Sequence, residues 1–185
     1  MGPHKIRQMM KAEREMAQRR FRRQRNKNYL ALPGIHDCIL VLDHLKPSYN
    51  IGKIFRSAEA FGCREIHLVG IDFFDPAPGM GAFKWVPAIF HDQFFTCYTD
   101  IVGKGYVPYI LEPGQGTSVT ASVLPEKSAF ILGHEEFGIR FDPDLFPEIR
   151  RLTIPQYGKS QSLNVSVAAS IILYEYVKQH GRSPA

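Results

Sequence analysis

The sequence predicts an α/β domain in which a mostly parallel sheet is flanked by helices. Residues 38–42 (CILVL) form a short continuous apolar run, which is typical of a strand covered on both faces. Further runs of this kind alternate along the chain with segments of helical period. Strands that alternate with helices indicate a sheet with helices packed on both sides.

The predicted strands follow one another at regular intervals. They are residues 38–42, 65–69, 86–90, 107–111, 129–132 and 151–154. Proline and glycine are frequent between residues 72 and 81, which predicts a loop between the second and third strands. A short helix is expected at residues 99–105, before the fourth strand.

Residues 50–61 predict an amphipathic helix. Asn50 is its predicted N-cap, and Gly62 is its predicted C-terminal stop. Apolar residues recur along it at helical period: Ile51, Ile54, Phe55, Ala58 and Phe61. Lys53 and Arg56 are three residues apart, so both project from its polar face. An ordinary surface helix would have the same pattern, so the pattern alone does not establish a function.

A long helix is predicted at residues 163–179, and it is apolar on nearly every side. A helix of this kind must be buried on more than one side. We expect one side to pack on the sheet and another on a second subunit. Burial wholly inside its own domain is the alternative.

The positive charge is concentrated at the N-terminus. Residues 1–28 contain ten Lys or Arg and two Glu, a net charge of +8, and the total of +5 leaves −3 for the rest. We expect residues 1–33 to form a basic arm, helical or partly disordered, and residues 34–185 to form the domain. Such an arm is suited to a polyanion such as nucleic acid. The alternative is a solvated tail that only aids solubility.

Several classes of protein are excluded by the sequence. No apolar run is long enough to cross a bilayer and the N-terminus is basic, so we expect a cytoplasmic protein. Three cysteines, far apart in sequence, predict reduced thiols. The seven histidines have no metal-binding spacing, so no metal site is predicted. Neither a phosphate-binding P-loop, nor a GxGxxG fingerprint, nor a GxSxG elbow is present.

Two further segments place polar residues and glycines directly after buried strands. In residues 132–139 (LGHEEFGI), two glycines lie on either side of two acids. This pattern indicates a loop whose backbone approaches a ligand, and the alternative is a tight left-handed turn. Residues 154–168 (IPQYGKSQSLNVSVA) lead into the last helix. Ser162 and Asn164 therefore lie at a helix N-terminus, which favours an electron-rich ligand. Capping by Ser162 alone is the simpler alternative.

Together, NIGKIFRSAEAFG, ILGHEEFGI and IPQYGKSQSLNVSVAASIILYE resemble, in order and spacing, the three motifs of the SpoU/TrmH family of RNA 2'-O-ribose methyltransferases, within the SPOUT superfamily. The resemblance covers roughly residues 38–179. It implies a C-terminal trefoil knot, a homodimer with its active site near the interface, and S-adenosyl-L-methionine bound in the knot. It also implies tRNA or rRNA as the substrate.

The resemblance also implies particular site residues. Those expected around the cofactor, largely through backbone groups, are Leu111, Gly133, Gly138, Ile154, Ser162 and Leu163. Those expected in the catalytic cluster are Arg56, Asn50, Glu135, Ser162 and Asn164. Guanidinium remains protonated in proteins, so we expect Arg56 to clamp phosphate and stabilise the ribose oxyanion rather than act as the base. The proton acceptor stays open.

Two alternatives to this function remain at the level of sequence. Related knotted proteins modify bases instead of ribose, although the polar cluster favours ribose. A non-catalytic RNA-binding relative would account for the basic arm but not for the cluster.

Overall fold

The computed structural model describes residues 3–181, with side chains from Arg7 onward. Its strands are β1 (His36–Asp43), β2 (Cys63–Val69), β3 (Ala88–His91), β4 (Val107–Leu111), β5 (Thr117–Ser118), β6 (Ser128–Leu132) and β7 (Arg150–Thr153). Its helices are α1 (Pro3–Asn28), α2 (Tyr49–Ala60), α3 (Phe94–Gly103) and α4 (Val165–His180). Short 3-10 turns lie at Ala77–Gly79, Ala82–Lys84, Val119–Ala121 and Pro143–Leu145.

The seven strands form one parallel sheet in the order β3-β2-β1-β6-β4-β7-β5. The predicted α/β class with helices flanking a parallel sheet is therefore confirmed. Each of the six predicted strands agrees with an observed strand to within two residues at either end. Only the two-residue strand β5 was not predicted, because so short a strand leaves no periodic pattern.

The central strand β1 has a core on each of its faces, as its apolar run predicts. Leu40 and Leu42 pack into the cluster that contains α2 and α4, while Ile39 and Val41 pack into the cluster that contains α3. All four side chains are fully buried. Burial of each contributes about 1.5–3 kcal/mol, so β1 anchors both layers.

Two details of the predicted helices were wrong. The N-cap of α2 is Ser48, not Asn50, and the Asn50 side chain is taken by hydrogen bonds to other segments. Helix α3 begins at Phe94, five residues before the predicted start. Its buried residues Phe94, Cys97 and Ile101 have a helical period that its aromatic composition, typical of strands, conceals.

Helix α4 buries one side and leaves the other open. Ala169, Ile172 and Tyr176 are fully buried against the sheet and α2. Val167 is 46% exposed and Tyr174 58% exposed on the other side. Within the described residues, the helix is therefore covered on one side only, and the second apolar side predicted from the sequence remains accessible.

The C-terminal turns of α1 are docked on the domain. The Phe21 ring contacts Phe74 and Phe83 at centroid distances of 5.3 and 5.4 Å. The buried Asn28 amide donates hydrogen bonds to the carbonyls of Phe83 and Val86. Residues 7–16, earlier in the helix, are exposed. No helix among the described residues is long and apolar enough to span a membrane.

Candidate active site

An open cleft of about 550 Å³ lies where β4, β6 and β7 end and α4 begins. These three strands are neighbours in the sheet. Because all of them are parallel, the loops that follow them meet at one edge, which is where open α/β sheets bind ligands. A volume of this size is within the range of small-molecule and cofactor sites.

The cleft is lined by every residue expected around the cofactor. The structure brings together, from three loops distant in sequence, Leu111, Gly133, Gly138, Ile154, Ser162 and Leu163. Leu111 ends β4, and Ile154 directly follows β7. The lining therefore combines apolar side chains with glycine-containing loops, which suits a flat apolar ring with polar edges.

The loop after β6 is a tight turn that depends on both of its glycines. His134 and Gly138 exchange two backbone hydrogen bonds of 2.8 Å, and Gly138 has a φ of +69°. A Cβ on Gly133 would lie 2.4 Å from the Gly138 carbonyl carbon and 2.4 Å from the Ile139 nitrogen. The two interpretations of this segment from sequence are thus compatible, because the left-handed turn itself forms a wall of the cleft.

A chain of polar side chains crosses from α2 to the start of α4. The Asn50 amide donates to Glu135 Oε1 at 2.9 Å, and the Asn164 amide donates to Asn50 Oδ1 at 3.2 Å. Asn164 also caps α4, because its Oδ1 accepts from the Ser166 N–H at 2.9 Å. The predicted N-terminal polar cluster is therefore present, with Asn164 rather than Ser162 as the cap.

Glu135 is held as a carboxylate in this network. Partial burial raises the pKa of Glu135, but the hydrogen bonds from the Asn50 amide and the Lys46 backbone N–H outweigh it, so the pKa is lower than the ordinary value. The neighbouring Glu136 pairs with the Lys46 ammonium at 2.9 Å. The segment before α2, at Lys46, and the loop after β6 are thereby held together at the rim of the cleft.

Arg56 does not line the main cleft. It is exposed in a second depression, the α2–α4 groove, whose lining includes Lys53, Phe61, Val167 and Tyr174. No salt bridge to Arg56 occurs within residues 7–181, so its guanidinium is available to an anion. Of the five expected catalytic residues, three line the main cleft: Glu135, Ser162 and Asn164. Asn50 is hydrogen-bonded to Glu135 and Asn164, and Arg56 lies in the adjacent groove.

Some lining residues of the main cleft were missed from the sequence: Glu112, Gln115, His134, Gln156 and Gln161. Glu112, directly after β4, is paired with Arg151 of the adjacent strand β7. Polar residues within two positions of the end of a predicted strand were the available signal for Glu112 and Gln156. Gln115 and Gln161 lie in the middle of irregular loops, where sequence gives no direction to a side chain.

Comparisons with known proteins find a matching family and similar relatives. A sequence model of the SpoU rRNA methylase family matches residues 37–174. The tRNA (guanosine(18)-2'-O)-methyltransferase of Thermus thermophilus is 28% identical over 148 residues, 77% of this chain and 75% of that relative. The 23S rRNA (guanosine-2'-O-)-methyltransferase RlmB of Xylella fastidiosa is 31% identical over 159 residues, 83% of this chain and 63% of the relative.

A solved structure with the same fold is the SpoU methyltransferase AviRb from Streptomyces viridochromogenes in complex with AdoMet. It matches with a TM-score of 0.68 and 23% identity over 80% of this chain and 62% of that one. This chain spans less than two thirds of the Xylella and Streptomyces proteins. The family match covers most of the chain, including all three motifs. The expectation drawn from those motifs is confirmed: the chain belongs to the SpoU rRNA methylase family.

Proposed function

We propose that this protein transfers a methyl group from S-adenosyl-L-methionine to a ribose 2'-hydroxyl of tRNA or rRNA. The observation that carries the proposal is the main cleft, with the Asn50–Glu135–Asn164 network at its rim. Family membership and the 2'-O-methyltransferases named among its relatives support the same activity.

The residues of the cleft fit the cofactor. Leu111, Ile154 and Leu163 offer apolar contacts to an adenine ring, and the turn from Gly133 to Gly138 offers backbone groups at close range. When bound, S-adenosyl-L-methionine supplies an electrophilic methyl group on a cationic sulfonium. The carboxylate of Glu135 also lines the cleft, and its negative charge favours a cation there.

In this proposal, Arg56 and the polar network act on the RNA. A ribose hydroxyl is a weak nucleophile unless its developing charge is stabilised. The unpaired guanidinium of Arg56 can bind the phosphate beside the target ribose while the ribose enters the main cleft. Asn50 and Asn164 orient the hydroxyl, and Glu135 fixes Asn50. The lowered pKa of Glu135 makes it a weak base, so the proton acceptor is not assigned to it.

We also propose a homodimer with a trefoil knot around the cofactor. The open side of α4 carries Val167, Ile171 and Tyr174 at helical spacing, and these residues line the α2–α4 groove together with Arg56. A second copy packed on this side would bury the exposed apolar residues beside the catalytic arginine. The knot is expected from the family for the segment between β6 and α4.

RNA recognition is proposed for the basic arm, residues 1–33. Its exposed cations, Arg14, Arg19, Arg22 and Arg23 among them, lie on a helix whose docked end fixes its direction relative to the domain 34–185. Cation-rich surfaces bind phosphates without sequence preference. A cytoplasmic location follows from the proposed substrates, tRNA and rRNA.

Methyl transfer to separated RNA pools tests the function. The protein is incubated with methyl-labelled cofactor and with total tRNA or total rRNA, while calorimetry measures cofactor binding. Transfer to one pool identifies the substrate class. Cofactor binding without transfer to either pool would contradict the activity, and binding of RNA without any cofactor binding would favour a non-catalytic RNA-binding protein.

A further inference from the structure

We propose that His67, His91 and Cys97 form a binding site for a zinc ion at the edge of the sheet. The site lies outside the main cleft and the α2–α4 groove, and none of its residues lines either one. Imidazole nitrogens and a thiolate are the ligands that Zn²⁺ prefers in proteins. The ion would be structural, because its ligands lie on β2, β3 and α3, away from the proposed chemistry.

The three ligand atoms have the separations of a tetrahedral zinc site. His67 Nδ1, His91 Nε2 and Cys97 Sγ all lie within 4.8 Å of one another. The two nitrogens are 2.9 Å apart, and Sγ lies 3.5 Å from His67 Nδ1. Zinc–nitrogen and zinc–sulfur bonds of ordinary length require about 3.3 Å between two nitrogens and about 3.6 Å between nitrogen and sulfur. A shift of a few tenths of an ångström would therefore seat the ion.

An independent feature of the cluster also fits a metal ion. The other ring nitrogen of His67, Nε2, lies 3.0 Å from Glu65 Oε1. Histidines that bind metal usually donate their second N–H to a carboxylate, which fixes the ring and leaves the first nitrogen free to coordinate. Glu65 is itself buried, so little water competes for its contact with His67.

The fold aligns these residues through strand pairing. His67 on β2 and His91 on β3 stack with ring centroids 5.0 Å apart, and β3 pairs only with β2 in the sheet described by residues 3–181. Cys97 projects from the buried side of α3. An ion bound by all three would tie the edge strand and α3 to the body of the sheet.

Asp100 is the candidate fourth ligand, and its carboxylate would move toward the other three ligand atoms on binding. Its Oδ2 lies 3.9 Å from His67 Nδ1, one turn of α3 beyond Cys97, and its side chain is about one third exposed. The carboxylate now accepts from Lys104 at 2.8 Å, and its second oxygen can keep that contact. On binding, zinc would displace the Cys97 thiol proton to solvent. The proton between the two rings would move to His91 Nδ1.

The same residues could instead form a metal-free hydrogen-bond chain, with His91 donating to His67 and His67 donating to Glu65. That arrangement satisfies both rings and leaves Cys97 as a protonated thiol in contact with His67 Nδ1 rather than as a ligand. Participation of the Cys97 sulfur therefore distinguishes the two arrangements.

Cobalt substitution of the full-length protein tests the site. After treatment with a chelator, the protein is titrated with Co²⁺ and then with Zn²⁺. We expect one Co²⁺ per chain, with the visible bands of tetrahedral cobalt and a thiolate charge-transfer band, and displacement by Zn²⁺. Zinc should raise the thermal midpoint, because a ligand that binds only the folded state stabilises it. The Cys97→Ser variant should lose the charge-transfer band. The His91→Ala variant should lose the zinc-dependent rise in the thermal midpoint.

Cys63→Ser is the matched control, since Cys63 is a buried thiol of β2 outside the cluster. It should keep the cobalt spectrum. The proposal is overturned if the wild-type protein shows no thiolate band and no zinc-dependent rise. It is also overturned if Cys97→Ser binds like the wild type, or if Cys63→Ser loses the cobalt spectrum to the same extent.

Discussion

Asn50, in the first family motif, joins the other two directly, because its amide donates to Glu135 at 2.9 Å while its oxygen accepts from Asn164 at 3.2 Å. A residue at the start of α2 thereby fixes the loop after β6 against the start of α4. All three segments border the main cleft or the groove beside it. The rim of the proposed active site is therefore held by side-chain hydrogen bonds between motifs.

Replacing Arg56 should separate catalysis from folding. Arg56→Ala is expected to lower single-turnover methyl transfer on the order of a hundred- to a thousandfold, as for loss of one electrostatic stabiliser. The thermal midpoint and cofactor affinity should stay nearly unchanged, because Ile54 and Phe55 carry the packing of α2. Arg56→Lys should rescue little, since an ammonium lacks the bidentate fork.

Arg64→Ala is a suitable control, because Arg64 pairs with Asp37 and lines neither the main cleft nor the α2–α4 groove. It should remain active. A destabilised Arg56→Ala protein that retains its activity would show that Arg56 has a structural role.

Gly133→Ala should damage the cofactor site. Its Cβ would meet backbone atoms of Gly138 and Ile139 at 2.4 Å, so the turn has to move. We expect the loss of measurable cofactor binding by calorimetry and a decrease of about 1–3 kcal/mol in the free energy of unfolding. Gly103→Ala is the control, since a Cβ there meets nothing within 4 Å. Normal cofactor affinity in Gly133→Ala would show that this turn is not part of the binding site.

The hydrogen bonds to Glu135 predict a specific dependence of stability on pH. Because the pKa of Glu135 is lowered in the folded protein, the carboxylate stabilises the fold above its unfolded pKa, about 4.3. This contribution is lost as the pH falls through the folded value. The difference in free energy of unfolding between the wild type and Glu135→Gln should thus be constant near neutrality and shrink below about pH 4. Chemical denaturation at several pH values measures it, and a difference independent of pH would contradict the network.

Neutralising the exposed cations of α1 should weaken RNA binding. With Arg14, Arg19, Arg22 and Arg23 changed to Gln, the slope of log affinity against log salt should become shallower by roughly 0.7–0.9 for each phosphate that the variant no longer binds. Cofactor affinity should not change. Arg20→Gln is the comparison: Arg20 pairs with Asp75 at 3.0 Å, so its replacement should affect docking of the helix more than the salt slope. An unchanged salt slope in the fourfold variant would show that the arm does not bind RNA and only aids solubility.

The parts of this structure that local sequence determines were predictable. Apolar runs indicated the strands to within two residues, because a strand that is buried on both faces is a continuous apolar run in the sequence. The family resemblance led to six of the residues that line the main cleft. Asn50 was assigned as a cap because its local position favours one, whereas tertiary hydrogen bonds to Glu135 and Asn164 use its side chain.

The histidine–cysteine cluster could not be predicted from spacing. His67, His91 and Cys97 come from β2, β3 and α3, and strand register together with the position of α3 brings them together. Motif rules for metal sites depend on ligands a few residues apart in sequence, so they do not detect ligands that come from three separate elements. The position of Arg56 in a separate groove likewise depends on the packing of α2 against α4, which sequence does not specify.

Nucleoside mass spectrometry tests the proposed ribose methylation most directly. The protein is incubated with methyl-labelled S-adenosyl-L-methionine and with tRNA or rRNA that lacks the modification, and the RNA is digested to nucleosides. We predict the label on a ribose 2'-oxygen and its loss in Arg56→Ala. Label on a base, or no label in either RNA despite cofactor binding, would contradict the proposed function.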